Sequence, residues 1–464
     1  MLIDKRKTII AMFIYLSAAI LTRVFAVKNA AWLVGADMDS YIRQGAMLLH
    51  EGRFAMPGAA DLSTFHTPLY PALIAANMWV FGDDVGPYAM IYEQIILLFL
   101  TGLTVAAIVA RTHPSLAFSA LLLMIFNPNS FAAAQGTQPE TVFTFLLVSA
   151  LYLFFAFVRS KRFWLLPAIG LLVAVATYCR PVGLYLGLMI PAGVALYATI
   201  GCVSFQQGAR QVVIYFVRSL IVIIVIILAL APWYSRNYDI VGQYVLSTNL
   251  GLYLRDNVIL VYAKTAGKPV QEMPQYFDDR FDTYLARREA KPRHKMNDAE
   301  ESSALAQFSF HELSDQPASS IMRLAAHSVL FLYGSGGTGT LRDLWGFEDQ
   351  GLHVIEHFEG DGSIFGPVSL FLGKISPGYM LLLFLGLAFS FILRLLGLNG
   401  LFAMLRSQHW RDFVIYCSIL SVFTGMYMFA GQSRFRLPME PILVIIALWG
   451  WGALFRKKGT TEYD

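Results

Sequence analysis

The chain has 464 residues, of which 56% are hydrophobic and only 14% charged, about half the charged share of an average soluble domain. That balance excludes an ordinary soluble globular protein, and a net charge of +4 is too small to call for nucleic acid as a partner. The cysteines Cys179, Cys202 and Cys417 all lie in or beside apolar runs, which excludes a disulfide framework and a thiolate metal site and reads as small core hydrophobes.

In chain order, Lys5-Arg6-Lys7 opens onto an apolar run. It resembles a signal peptide without a small-residue cleavage site, so we read a retained first span over 8–27. The polar segment 28–87 follows. Within it Gly35-Ala36-Asp37-Met38-Asp39-Ser40-Tyr41 leads into helical apolar spacing from Tyr41 to Leu49, which Gly52 ends. This predicts a short helix on the membrane surface with two carboxylates at its N-terminal end, where the helix dipole favours them. Asp39 there also suits a plain N-cap. Phe65-His66-Thr67-Pro68-Leu69-Tyr70-Pro71 then turns into 69–82, which is apolar but too short to cross a bilayer.

Further spans are predicted at 88–110, 115–134, 141–158, 163–179, 182–200 and 212–232. Glu93 falls inside one of them, and an ionisable group within a span is a functional candidate. Glu140 stands at the mouth of the 141–158 span. Arg180 occupies the turn Tyr178-Cys179-Arg180-Pro181, and Arg236 follows 212–232. The polar region 233–373 is too long for a simple connection. Its charge-dense middle, 278–301, is expected to be a solvated or partly mobile helix. Segment 319–333 is amphipathic and is expected at the interface or crossing it. The last spans are 376–396, 412–430 and 438–455, the final one preceded by Ser433-Arg434-Phe435-Arg436-Leu437-Pro438. The chain thus divides into an N-terminal membrane module, 1–232, a large outer region, 233–373, and C-terminal spans, 374–464.

Short links rich in Lys and Arg, such as Arg159-Ser160-Lys161-Arg162, fall on one side of these spans and set that side, with both termini, in the cytoplasm. Twenty-five of the 31 Asp and Glu then lie outside. Arg180, Arg236, Arg434 and Arg436 run against this bias. Cations beside an acidic membrane site suit an anionic ligand, phosphate foremost. Local pairing is the alternative, and Arg436 and Glu440 have the i, i+4 spacing for it. Two motifs are decoys. His353-Val354-Ile355-Glu356-His357 matches a short zinc-peptidase pattern with no second half, and Gly334–Gly339 lacks the Lys-Ser/Thr of a nucleotide loop.

The ordered set resembles the C-type (GT-C) integral-membrane glycosyltransferases, specifically the bacterial relatives of protein O-mannosyltransferases and of the aminoarabinose transferase acting on lipid A. The residues that carry it are Asp37, Tyr41, Leu49 and Gly52; Thr67-Pro68-Leu69-Tyr70-Pro71; Glu140-Thr141-Val142-Phe143; Thr177 with Arg180-Pro181; Pro232-Trp233 with Arg236-Asn237-Tyr238 and Gly242; and Arg434-Phe435-Arg436-Leu437-Pro438 with Glu440-Pro441. The resemblance covers nearly the whole chain apart from 255–373.

It implies an all-α GT-C-like bundle of about 10–11 transmembrane helices, with interfacial helices in the first outer loop and a large outer loop over the site. It implies transfer of a sugar from a polyprenyl-phosphate donor lipid to an acceptor hydroxyl on a glycan, lipid or protein, with inversion, at the outer face of a bacterial inner membrane. Asp37 aligns with the family's general base and Asp39 is the reserve. Arg180, Arg236, Arg434 and Arg436 would hold the donor phosphate. His66 stands where the family has Lys or Arg. Tyr41, Tyr70, Glu140 and Glu93 are further candidates. No cofactor is required by the pattern, and Asp37, Asp39 and Glu140 are the carboxylates that could hold a divalent metal. A polymerase or ligase moving a whole lipid-linked glycan, and a flippase or transporter, are the alternatives. Polar groups at the outer ends of spans, rather than mid-bilayer, favour interfacial chemistry.

Overall fold

The structure, a computed structural model, describes residues 4–26, 36–56, 62–198, 205–266, 270–288, 290–345, 347, 376–429 and 431–455. The decoy pattern at His353 to His357, Cys202 and the basic C-terminal segment lie outside them, as do the side chains of Asp37 and a few others. In chain order the helices are α1 (Lys5–Ala26), α2 (Ala36–Glu51), α3 (Leu69–Phe81), α4 (Gly86–Val109), α5 (Ala117–Ile125), α6 (Pro128–Ala133), α7 (Glu140–Ser160), α8 (Leu165–Cys179), α9 (Gly183–Ala198), α10 (Phe205–Val241), α11 (Asn249–Ala266), α12 (Met273–Arg287), α13 (Asp298–Asp315), α14 (Ala318–Gly334), α15 (Gly339–Leu344), α16 (Pro377–Arg406), α17 (Trp410–Met426) and α18 (Glu440–Leu454). No strand occurs among the described residues. Among the described residues six helices are long and apolar enough to cross a bilayer: α1, α4, α7, α10, α16, and α18 with the 3-10 turn Ser433–Met439 before it. Shorter apolar helices, including α3, α8 and α9, pack among them. This is an all-α membrane protein, since only a self-satisfied backbone survives in lipid.

Local sequence explains most element ends. Gly52 and Gly82 follow α2 and α3 with φ of 65° and 85°, a region that glycine enters without strain. The segment expected as one span over 115–134 is broken instead. Pro128 cannot continue α5, and Asn127 caps α6 by accepting from the Ser130 amide at 3.1 Å. The span expected over 212–232 is too short. Helix α10 runs through Pro232 to Val241, so Arg236 lies on the helix, and the expected module boundary at 232 falls inside it. Pro232 removes one intrahelical donor, and one residue beyond the freed carbonyl the Tyr178 hydroxyl donates to the Ala229 carbonyl at 2.6 Å.

Helix α16 corrects a third boundary. At 30 residues it is about 45 Å long, against ~30 Å of hydrocarbon. The expected span 376–396 would put Arg394 at its cytoplasmic end. Instead Arg394 lies 3.6 Å from Glu440, at the start of α18. From there α16 and α18 run side by side in the same direction. A methyl group on Gly400 would stand 1.9 Å from the Ile446 carbonyl, and one on Gly450 would stand 1.8 Å from that of Leu396. Such close backbone approach is what small residues allow in membranes. An apolar run longer than the bilayer does not say which of its residues are immersed.

The region expected to be a solvated or partly mobile helix has a core of its own. Phe277, Phe281 and Leu285 on α12 face Val258 and Tyr262 of α11 and Phe308 of α13, all buried. Helix α14 is not among the helices apolar enough to span. It packs on the bundle through Tyr333, bonded to Thr424 at 2.6 Å, and Ser328, which donates to the Phe429 carbonyl.

Candidate active site

Glu140 is the first residue of α7, directly after Pro139, where a carboxylate suits the helix dipole. It is fully buried. Arg180 Nη1 donates to its Oε1 at 2.6 Å, and Arg434 Nε lies 3.1 Å from the same oxygen. Its Oε2 has no hydrogen-bond partner among the described residues. Two guanidiniums thus face one carboxylate oxygen. Each arginine is positioned by its backbone. Arg180 follows α8 in extended conformation, as a residue before proline prefers. Arg434 sits in the 3-10 turn Ser433–Met439. Tyr427 and Phe435 stack at 4.6 Å beside Arg180.

The first loop meets this cluster. Thr67 Oγ1 donates to the Cys179 carbonyl at 3.1 Å, next to Arg180. The Tyr41 ring lies 4.5 Å from His66 and 5.2 Å from Tyr70. His66 Nδ1 is 3.0 Å from Gln44 Oε1, while Gln44 Nε2 donates to Ser63. With the amide so oriented, Nδ1 carries the proton. The strip from Ser63 to Phe65 is fastened by the far loop: Ser247 Oγ donates to the Phe65 carbonyl, and the Thr248 amide to that of Thr64. Tyr70 is buried and donates to Gln94, which donates to the Gly136 carbonyl at 2.6 Å.

The two aspartates separate. Asp39 pairs with Arg43 at 2.5 Å on the exposed side of α2. Asp37 precedes Tyr41 by four residues, the spacing that puts two positions on one helix face, and its side chain lies outside the described residues. A divalent metal on Asp37, Asp39 and Glu140 does not suit this arrangement. Glu140 already faces two guanidiniums, and Asp39 a third. The one group of His and carboxylates close enough to consider among the described residues, His311, Glu312 and Asp315, has the same defect, because Arg280 takes both Glu312 oxygens at 2.8 and 2.9 Å.

Of the four arginines expected to bind phosphate, the structure brings together Arg180 and Arg434. Arg236 instead clamps the first loop, donating to the carbonyls of Ser63 and Phe54 and to Asn237. Arg436 is 1% exposed and is held by Glu440 at 2.5 Å, by Ser335 and by the Leu332 carbonyl. Its i, i+4 pairing, visible in the sequence, is its role. Glu93 is exposed on α4 and accepts from Asn77 at 3.1 Å. Sequence reading missed Arg23, buried in α1 and donating to the Gln135 carbonyl at 3.0 Å. An arginine in an apolar span is itself the signal that could have found it. It also missed Gln135 and Thr137, fully buried with side-chain polar atoms that lack partners among the described residues. No protein-family model, curated protein or solved structure matches this chain.

Proposed function

We propose that the protein is a GT-C-like inverting glycosyltransferase of about 10–11 spans, in a bacterial inner membrane with cytoplasmic termini and an outward-facing site. It moves a sugar from a polyprenyl-phosphate donor to an acceptor hydroxyl. The observation that supports this reading most is the convergence of Arg180 and Arg434 on Glu140, partly exposed at 16% and 31% beside the first loop. A base on that loop and cations beneath it are the two requirements of the reaction. Asp37 takes the acceptor proton as the hydroxyl oxygen bonds to the anomeric carbon. The bond from that carbon to the phosphate oxygen breaks, and the polyprenyl phosphate leaves with the electron pair. Arg180 and Arg434 stabilise its developing charge. Glu140 keeps the guanidiniums oriented before the donor arrives.

The test uses purified protein in lipid nanodiscs with radiolabelled polyprenyl-phosphate hexose and a hydroxyl acceptor, resolved by chromatography. Free polyprenyl phosphate with label on the acceptor is the expected result. In proteoliposomes, intact donor appearing on the opposite leaflet with no transfer would replace this reading by a flippase. Asp37→Asn should lose turnover while keeping donor binding, and full activity in that variant would move the base to Asp39.

A further inference from the structure

The α11–α13 module holds a cavity of about 400 Å³, within the range of small-ligand sites. Tyr262, Thr265, Tyr276, Arg280 and Gln316 line it. Arg280 is fixed from behind. Its Nε and Nη2 donate to buried Glu312, which also accepts from the Tyr262 hydroxyl. These bonds push the Arg280 pKa up, and burial beside Glu312 raises that of Tyr262, so both stay protonated donors. The Tyr276 ring is 48% exposed and meets Tyr262 edge-on at 5.2 Å.

The chemistry of this lining selects one kind of occupant. An exposed aromatic face takes the C–H side of a ring. A guanidinium edge, a hydroxyl and an amide take a spread of hydroxyls. Glu312 cancels the Arg280 charge, so nothing here favours a phosphate or carboxylate. The same helix links the cavity to the candidate active site. Tyr253 on α11 donates to the Met426 carbonyl, and its ring lies 6.4 Å from that of Tyr427, the residue beside Arg180. Nine residues of helix separate Tyr253 from Tyr262, about 14 Å. A single sugar held in the cavity would not reach the arginines.

We infer that the cavity of the α11–α13 module binds a neutral glycan chain of several sugar residues, whose end is the acceptor. The role as acceptor rests on the transferase reading, while the binding itself does not. The full-length protein in detergent is titrated calorimetrically, without donor, with neutral linear hexasaccharides of glucose, mannose, galactose and N-acetylglucosamine, and with the matching monosaccharides. At least one hexasaccharide should bind at least tenfold more tightly than its monosaccharide. Tyr276→Ala should weaken it about tenfold, Tyr276→Phe should restore it, and Arg280→Lys, which keeps a cation against Glu312, should weaken it less than Tyr276→Ala. No hexasaccharide binding above the detergent control, or binding indifferent to Tyr276→Ala, overturns the site. Glycan binding without any sugar transfer would sink the transferase reading and leave the site standing. Transfer to a glycan with an acceptor KM unchanged in Tyr276→Ala would do the reverse.

Discussion

Glu140 and Glu440 invite comparison. Each is the first residue of a helix, each is buried, and each faces two arginines. Glu440 is saturated. Arg436 and Arg394 flank it, and Asn127 and Asn129 donate to its two oxygens at 3.0 and 3.2 Å. Arg436 is closed off from any ligand. Glu140 keeps one oxygen without a partner among the described residues, and Arg180 and Arg434 are 16% and 31% exposed, against 1% for Arg436 and 17% for Arg394. The same charges in the same kind of position are therefore held differently. What separates the two is the carboxylate: both Glu440 oxygens accept hydrogen bonds, and only one of Glu140's does among the described residues.

The largest expected effect tests Glu440. Glu440→Ala leaves Arg436 buried without its counter-charge, and breaking a buried pair from one side costs about 3–5 kcal/mol. The thermal unfolding midpoint should fall sharply, with aggregation on size-exclusion chromatography. A variant as stable as the parent would break the comparison at its firmer end.

Next in size is the site. Arg180→Lys keeps the charge and loses the planar fork. Turnover should fall about 100- to 1,000-fold, the usual cost of removing one donor to a developing anion, with little change in the unfolding midpoint. If stability fell as it does for Glu440→Ala, Arg180 would be structural, as Arg436 is. A smaller effect is expected at the more exposed Arg434. Arg434→Lys should lower kcat/KM about tenfold, near 1.4 kcal/mol, mainly through a higher KM for the donor.

Much of the fold was legible from residues whose signals are local. Gly52 ends α2 where expected, and the turn expected at Arg180-Pro181 is where α8 stops. The failures share one physical cause. Charge and hydropathy in a window do not record partners brought from elsewhere in the chain. Arg436 and Arg434 are two residues apart with the same composition around them. Arg436 has Glu440 four residues on and the distant Leu332 and Ser335 around it, while Arg434 meets the distant Glu140. In α12 the charge density hid an i, i+4, i+8 stripe of Phe277, Phe281 and Leu285 that did predict a buried face. The span expected to end at 232 continues through Pro232 to Val241, with the Tyr178 hydroxyl donating to the Ala229 carbonyl close by.

The smallest predicted effect is the most discriminating for the first loop. Asp39 and Arg43 form an exposed i, i+4 pair, a kind worth roughly 0.3–0.5 kcal/mol. Asp39→Asn should therefore leave the unfolding midpoint nearly where it was. It should leave turnover unchanged too, because position 39 does not share the face that carries Tyr41 toward His66 and Tyr70, whereas position 37 does. A loss of turnover in Asp39→Asn as large as that of Arg180→Lys would mean that α2 turns its other face to the arginines. The comparison of Glu140 with Glu440 would then have to be redrawn with Arg43 among the cations of the site.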